Sequence, residues 1–247
     1  MKKAINLLFI LVLFSVLATA QVPPTGEEIL RRVDANIGSD NKISTAEMII
    51  HTKRGSRSMK SKSWMMGEEK SFTEYLAPAR DEGTKMLKLE DQLWMYIPST
   101  DRIIKISGHM LRQSVMGSDL SYEDMMEDPQ LINNYEANVI GDEILFERDC
   151  WVLELTAKVE DIAYYARKIW VDKERYISLR EDRFAKSGKL LKTFEAKDIK
   201  RIQNRWMPTH MVFKDVLKGG EGTEFILESI EFNAVIPEHV FTKASLR

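Results

Sequence analysis

The chain is short of the residues that build covalent or metal-centred chemistry. Its only cysteine among 247 residues is Cys150, so neither an internal disulfide nor a cysteine-built zinc site can form, and stability has to come from packing. Four histidines, His51, His109, His210 and His239, are scattered, with no H-E-x-x-H or His-x-His pair, which leaves a zinc hydrolase without support. A G-x-S-x-G elbow, a Walker loop and a dinucleotide fingerprint are missing too, and no motif asks for a cofactor. Basic residues do not exceed acidic ones, with 36 Lys and Arg against 38 Asp and Glu. A polyanion needs a basic excess or a long basic face, so nucleic acid is excluded as a natural partner. After residue 20 there is no second long apolar run, so nothing downstream would hold the chain in a bilayer.

What is present is ample material for a core, with 44% hydrophobic and 30% charged residues, a balance unlike that of disordered or polytopic membrane chains. Residues 1–20 have the three parts of a secretory signal: Lys2 and Lys3, an apolar run from Ala4 to Ala18, then Ala18-Thr19-Ala20. The run is too short for a membrane span, which needs about 20 residues, and no cysteine follows it to accept a lipid. Cleavage between Ala20 and Gln21 is expected, with residues 21–247 forming one soluble periplasmic domain that carries 34 basic against 38 acidic side chains.

Thr25-Gly26-Glu27-Glu28 is a capping box. Ile29, Leu30, Val33 and Ile37 follow at helical spacing, and Gly38 is placed to end the helix in a left-handed conformation. From about Lys42 the hydrophobic period becomes two, and a Lys53-Arg54-Gly55-Ser56 turn leads to a return strand from Met59 to Met66. Further strands are expected over Phe72–Leu76, Lys85–Leu89, Leu93–Ile97, Arg102–Ile106, Glu143–Thr156, Ala163–Val171, Ile177–Phe184, Leu190–Ile199, Trp206–Lys214 and Thr223–Ala234. Eleven or twelve strands in hairpin order favour one antiparallel sheet curled into a barrel or half barrel. Ser107 to Gln130 interrupts them with two short helices, or a helix and a loop, rich in Met110, Leu111, Val115, Met116, Leu120, Met125 and Met126.

Asp119, Glu123, Asp124, Glu127 and Asp128 are the densest carboxylates. Glu123 with Glu127, and Asp124 with Asp128, would share helical faces as a metal or acid/base pair would; the stronger expectation is that Asp119 caps a helix and the other acids favour its first turn. Cys150 is expected to be a small buried side chain. The basic cluster Lys53, Arg54, Arg57, Lys60 and Lys62 suits a solvated hairpin that blunts a strand edge, with docking to an acidic partner or anionic headgroups as the alternative. The methionines suit both core packing and a surface that adapts to varied apolar ligands.

Leu93-Trp94-Met95-Tyr96-Ile97-Pro98, Arg102 to Ser107, and Met116-Gly117-Ser118-Asp119-Leu120-Ser121-Tyr122-Glu123-Asp124 resemble the signature of the outer-membrane lipoprotein-sorting protein family, the LolA-like periplasmic proteins. Pro78 with Gly83-Thr84 and Leu87, then Lys168-Ile169-Trp170-Val171-Asp172, Trp206-Met207-Pro208, Ile236-Pro237 and Phe241-Thr242 extend the resemblance over nearly the whole mature chain. It implies a mainly β (α+β) fold: an open antiparallel half-barrel with an N-terminal helix and an inserted helical lid over a hydrophobic cavity. It further implies non-catalytic carriage of lipid or lipoprotein acyl chains toward an outer-membrane acceptor or a membrane transporter, and relatives of this subgroup are often linked to RND-type lipid exporters. Met86, Trp94, Tyr96, Met110, Met116, Met125, Met126 and Trp170 are the expected cavity or lid residues, with Gly117, Ser118, Asp119, Tyr122, Glu123 and Asp124 as the structural motif. Two other functions compete: a non-catalytic accessory subunit of an envelope exporter, which uses the fold to dock protein, and a periplasmic lipid hydrolase, which needs a nucleophile absent here.

Overall fold

The computed structural model describes residues 22–38, 40–53 and 55–247. The expected secretory segment and Arg54 of the basic cluster lie outside them. One helix opens the described chain. In α1 (Gly26–Ile37) the Thr25 hydroxyl accepts from the Glu28 N–H at 3.2 Å and the Glu28 carboxylate accepts from the Thr25 N–H at 2.7 Å, which satisfies two donors that a helix start otherwise leaves open. Gly38 does not end α1 in a left-handed turn. Its backbone is extended, at φ −63° and ψ 136°, because the chain runs straight on toward the first strand.

The strands are β1 (Asn41–Thr52), β2 (Gly55–Met66), β3 (Lys70–Ala77), β4 (Lys85–Leu89), β5 (Gln92–Ile97), β6 (Arg102–Ile106), β7 (Tyr135–Leu145), β8 (Arg148–Ala157), β9 (Ala166–Asp172), β10 (Ser178–Phe184), β11 (Leu190–Ile202), β12 (Arg205–Asp215) and β13 (Gly222–Phe232). All thirteen join one antiparallel sheet in the order β6-β5-β4-β3-β2-β1-β13-β12-β11-β10-β9-β8-β7. Consecutive strands pair, except β6 and β7, which form the two edges of the sheet, and β1 also pairs with β13 and so links the chain's two halves. The result is an open antiparallel half-barrel, as the resemblance implies.

The strand expected over Glu143–Thr156 is two strands, the end of β7 and most of β8, parted by a turn at Phe146 and Glu147, and the rest of β7 has no counterpart among the expected strands. Its run Glu136 to Glu143 lacks an apolar alternation because it forms one free edge of the sheet and most of it is exposed, so no buried face dictates its pattern.

Two kinds of cover lie on the inner face. Ile29, Leu30 and Val33 of α1 pack on Tyr135, Leu153, Leu155, Ile169 and Val171. Between the two ends of the sheet, residues 107–134 form the lid: 3-10 turns at Gly108–Arg112 and Val115–Gly117, then α2 (Tyr122–Met126) and α3 (Leu131–Asn134). The outer face of the first half is covered by the chain's end, where Ala234, Ile236, Phe241 and Leu246 pack on Phe72, Leu87 and Trp94. Cys150 is fully buried in β8, and burial pushes its thiol up to about 11, so it is no nucleophile at neutral pH.

Candidate functional site

The lid, α1 and the inner face of the sheet enclose a cavity of about 540 Å³, within the range usual for small-ligand sites. Its floor explains why space remains there. Ser63, Ser71 and Thr73 occupy inward positions of β2 and β3, and such small side chains leave volume that Leu or Phe would fill. Apolar walls come from Met125 and Leu120 of the lid and from Phe194, Met211 and Phe213 across β11 and β12. Ring contacts join β11 and β12 to each other and β12 to β13, with Phe194 to Phe213 at 5.0 Å and Phe213 to Phe225 at 5.4 Å between centroids.

The expected ligand residues divide by strand face. Met86 is buried, and Met110, Met116, Met125 and Met126 pack with it against Met48, Ile50, Met59 and Ile106. Of these, Met125 lines the cavity. Trp94 and Tyr96 point the other way, into the cluster beneath the chain's end, because β5 alternates and Leu93 and Met95 take the inner positions. Lys243 sits over the Trp94 ring at 4.2 Å. Trp170 is likewise on the outer face, beside Cys150, Val152 and Leu179, and its indole N–H donates to Glu143 at 2.7 Å. These three aromatics support the sheet from outside and do not line the cavity.

The lid motif has a different use from the one its sequence suggests. Asp119 is not a helix cap. Its carboxylate accepts from the Thr223 hydroxyl at 2.7 Å and from the Asp215 N–H at 3.0 Å, which ties the lid to β12 and β13. The cap of α2 is Ser121, whose hydroxyl accepts from the Asp124 N–H at 3.3 Å, while the Asp124 carboxylate accepts from the Ser121 N–H at 2.6 Å. Since α2 ends at Met126, Glu127 and Asp128 do not continue a shared helical face with Glu123 and Asp124. Ser118 is buried and its hydroxyl accepts from the Leu120 N–H at 3.2 Å. Gly117 has φ +78°, and Arg57 of β2 lies against it while donating to the Met116 carbonyl. Tyr122 is buried and donates to the Met95 sulfur at 3.7 Å.

On the far side the lid is gripped by charge. Lys192 and the Tyr164 hydroxyl both donate to Asp124, and Arg167 donates to Glu127. Behind them Arg167 meets Glu181 at 2.5 Å, and Arg183 meets Glu181 at 2.9 Å. Arg167 is only 2% exposed and stacks over the Tyr135 ring at 4.7 Å. Burial raises Glu181, but Arg183 and Arg167 outweigh it and hold the carboxyl at about 2. For Asp124 burial is again the largest influence, and Lys192 reverses it, so the carboxyl sits below its usual range. The sequence signal was there: Arg167 has the same alternation phase as Ile169 and Val171, a charged residue in an apolar position.

The mouth lies at the opposite end, between the C-terminal end of α1, the turn at Gly67 and Glu68, and the lid residues Asp128 to Gln130. It continues into an open cleft of about 910 Å³ that also includes Arg31, Asp40, Lys70 and Arg205. Asp34, buried here, accepts from the Ile132 N–H at 3.0 Å through Oδ2, while Oδ1 has no partner. Burial pushes its carboxyl up to about 6. Lys42 and Lys88 line the same mouth, and burial pulls both ammoniums below the usual lysine range. Neither Asp34 nor either lysine stands out in the sequence: Lys42 belongs to a polar run, Asp34 to the polar positions around α1, and Lys88 takes an alternating place between Leu87 and Leu89.

A family model described as an uncharacterized protein matches residues 67–247. A DUF1329 family protein from Desulfovibrio piger is 25% identical in sequence and similar in structure, with a TM-score of 0.82 covering 90% of this chain and 98% of its own. A domain described as an outer membrane lipoprotein-sorting protein, from Vibrio parahaemolyticus, is 27% identical with a TM-score of 0.77, covering 90% and 97% of the two chains. A LolA superfamily protein from Nitrosomonas europaea shares the fold at 22% identity, with a TM-score of 0.74 over 90% of this chain and all of its own. No curated protein matches the chain.

Proposed function

This chain belongs to the LolA-like family of outer-membrane lipoprotein-sorting proteins, and from that premise we propose that it is a periplasmic carrier that shelters lipid or lipoprotein acyl chains without catalysis. The observation that carries this reading is the cavity of about 540 Å³ beneath a methionine-rich lid. Each methylene buried there contributes about 0.8 kcal/mol, so one acyl chain supplies roughly 10 kcal/mol gross before ordering and lid displacement are subtracted. Unbranched, polarizable methionines let the same lid repack over chains of different shape. Such tight holding requires a membrane partner to assist release. Among the described residues no helix is long and apolar enough to cross a membrane. Mass spectrometry of organic extracts from gently purified protein tests the reading: a lipid in near-stoichiometric amount is expected, and protein that copurifies with no lipid and takes up no fluorescent fatty acid overturns it.

A second reading, docking to an envelope exporter as an accessory subunit, is favoured by the β7–β8 hairpin. Ile144 is 79% exposed at the sheet's free edge, and the turn that follows places Phe146 at φ +50°, an unusual conformation for an aromatic residue. Exposed apolar groups on a strained turn mark a contact surface. A stable complex with a membrane protein whose cavity stays empty is the outcome that supports this reading over the carrier.

A further inference from the structure

The mouth of the cavity is rich in charge, yet its charges are not equally employed. Three carboxylates there hold the lid's end in place. Asp34 accepts from the Ile132 N–H, Glu68 accepts from the Gln130 side chain, and Asp128 accepts from the Gln130 N–H and the Asn133 amide, each at 2.8 Å. Of the cations, Arg205 donates to the Ala35 and Gly38 carbonyls at the end of α1, and Lys88 donates to the Glu68 carbonyl at 3.2 Å. Lys42 is different. It lines the cavity, and among the described residues no hydrogen bond or ion pair engages its ammonium. Glu68 favours its charge from a distance and Arg205 opposes it.

Its placement is fixed by register. Lys42 pairs with Met65, Met65 with Ser71, and Ser71 with Lys88, so the two lysines lie in one cross-strand row on the inner face, with Met65 and Ser71 between them. Inward strand positions are normally apolar, and a desolvated ammonium without a counter-charge is costly. Within the protein only Glu68, from a distance, offsets that cost at Lys42, whereas an incoming anion would offset it by direct contact.

We propose that the cavity takes an amphiphile with an anionic headgroup, a carboxylate or a phosphate monoester, whose anion pairs with Lys42 at the mouth while its chain runs inward past Met125 toward Phe194 and Phe213. The assignment rests on the carrier reading and names the chemistry of its cargo. Asp34 stands at the same mouth with one oxygen, Oδ1, unpartnered. Its carboxyl is already pushed up to about 6 by burial, and an anion beside it favours the protonated form further, which turns the open Oδ1 edge of the group into a possible donor.

The test is calorimetric titration of the delipidated mature chain with three ligands of one chain length: hexadecanoate, hexadecyl phosphate and hexadecanol. At least one anion is expected to bind about tenfold or more tightly than the alcohol, the scale of a hydrogen bond to a charged group, and comparison of the two anions separates a fatty-acid source from a phosphate-bearing one. Lys42→Met should erase that preference, and Lys42→Arg should keep it. Losing a desolvated charge should not lower the melting temperature of Lys42→Met, which serves as the folding control. Equal binding of alcohol and anions, or an intact preference in Lys42→Met, overturns the headgroup assignment and leaves the carrier standing. Binding of none of the three overturns the carrier reading and the assignment with it.

Discussion

The two sides of the lid are held by different physics. Toward β1–β6 it rests on methionines and aliphatic residues, Met48, Met59, Met86 and Ile106 meeting Met110, Met116, Met125 and Met126. Toward β9–β11 it is held by ion pairs, with Asp124 and Glu127 gripped by Lys192, Arg167 and Arg183. Dispersion contacts are weak individually and non-directional, so a methionine surface can slide and repack with little penalty. Buried ion pairs are directional, and once broken they leave charges stranded in a poorly solvating interior. One side therefore can repack at little cost, and the other fixes the lid's position on the sheet.

The largest effect expected from that contrast follows Arg167→Met. It removes the guanidinium between Glu127 and Glu181 and should cost about 3 kcal/mol in chemical denaturation. If the stability change stays under about 1 kcal/mol, the charged grip is ornamental and the contrast between the sides fails.

Acid tests the same side without mutation. Glu181 is held at about 2 and Asp124 below its usual range in the folded protein, while both titrate near 4 when unfolded. Their folded pKa values are depressed, so the stability they contribute is complete above pH ~4 and drains away as pH falls through 4 toward 2. Urea midpoints measured from pH 6 down to pH 2.5 should decline steeply over the last units, and Arg167→Met should flatten that decline. A decline of equal slope in both proteins would assign the acid sensitivity elsewhere.

On the methionine side the expected effects are smaller. At Gly117 an added Cβ would meet the Arg57 guanidinium at 2.8 Å, on a backbone with φ +78°. Gly117→Ala should therefore cost about 1–2 kcal/mol, visible as a lower denaturation midpoint, and hydrogen exchange should speed up around Met116. Met125→Leu is the mildest. It conserves volume and should change stability by less than about 1 kcal/mol, yet it stiffens the cavity wall and should narrow the range of chain lengths bound, measured by displacement of a fluorescent fatty acid. Loss of several kcal/mol from Met125→Leu would mean that this side, too, depends on a specific fit.

Much of this architecture was legible in the chain. Thr25 and Glu28 announce α1 because a capping box is a local device, complete within four residues. Strands with one buried face announce themselves by alternation, and the apolar methionine-rich insert stands out from them. Alternation does not say which face is inside: Met86 and Met95 point to the lid, whereas Trp94 and Tyr96 pack beneath the chain's end. Most of β7 is not legible, because an exposed edge strand has no buried face to pattern.

What the sequence determined by itself is therefore what short-range chemistry controls: the helix start, the strand periods, the lack of disulfide or zinc-site cysteines, and an apolar cover over an apolar face. What only the tertiary structure decided are pairings between residues far apart in the chain. Asp119 sits beside Ser118 as a cap would, but its partners are Thr223 and Asp215. Lys42 looks like a solvated lysine before a strand, yet strand register turns it inward to the mouth of the cavity. A side chain's burial and counter-charges depend on which strands close around it, and closure of β1 on β13 is set by the whole sheet and not by the residues beside Lys42.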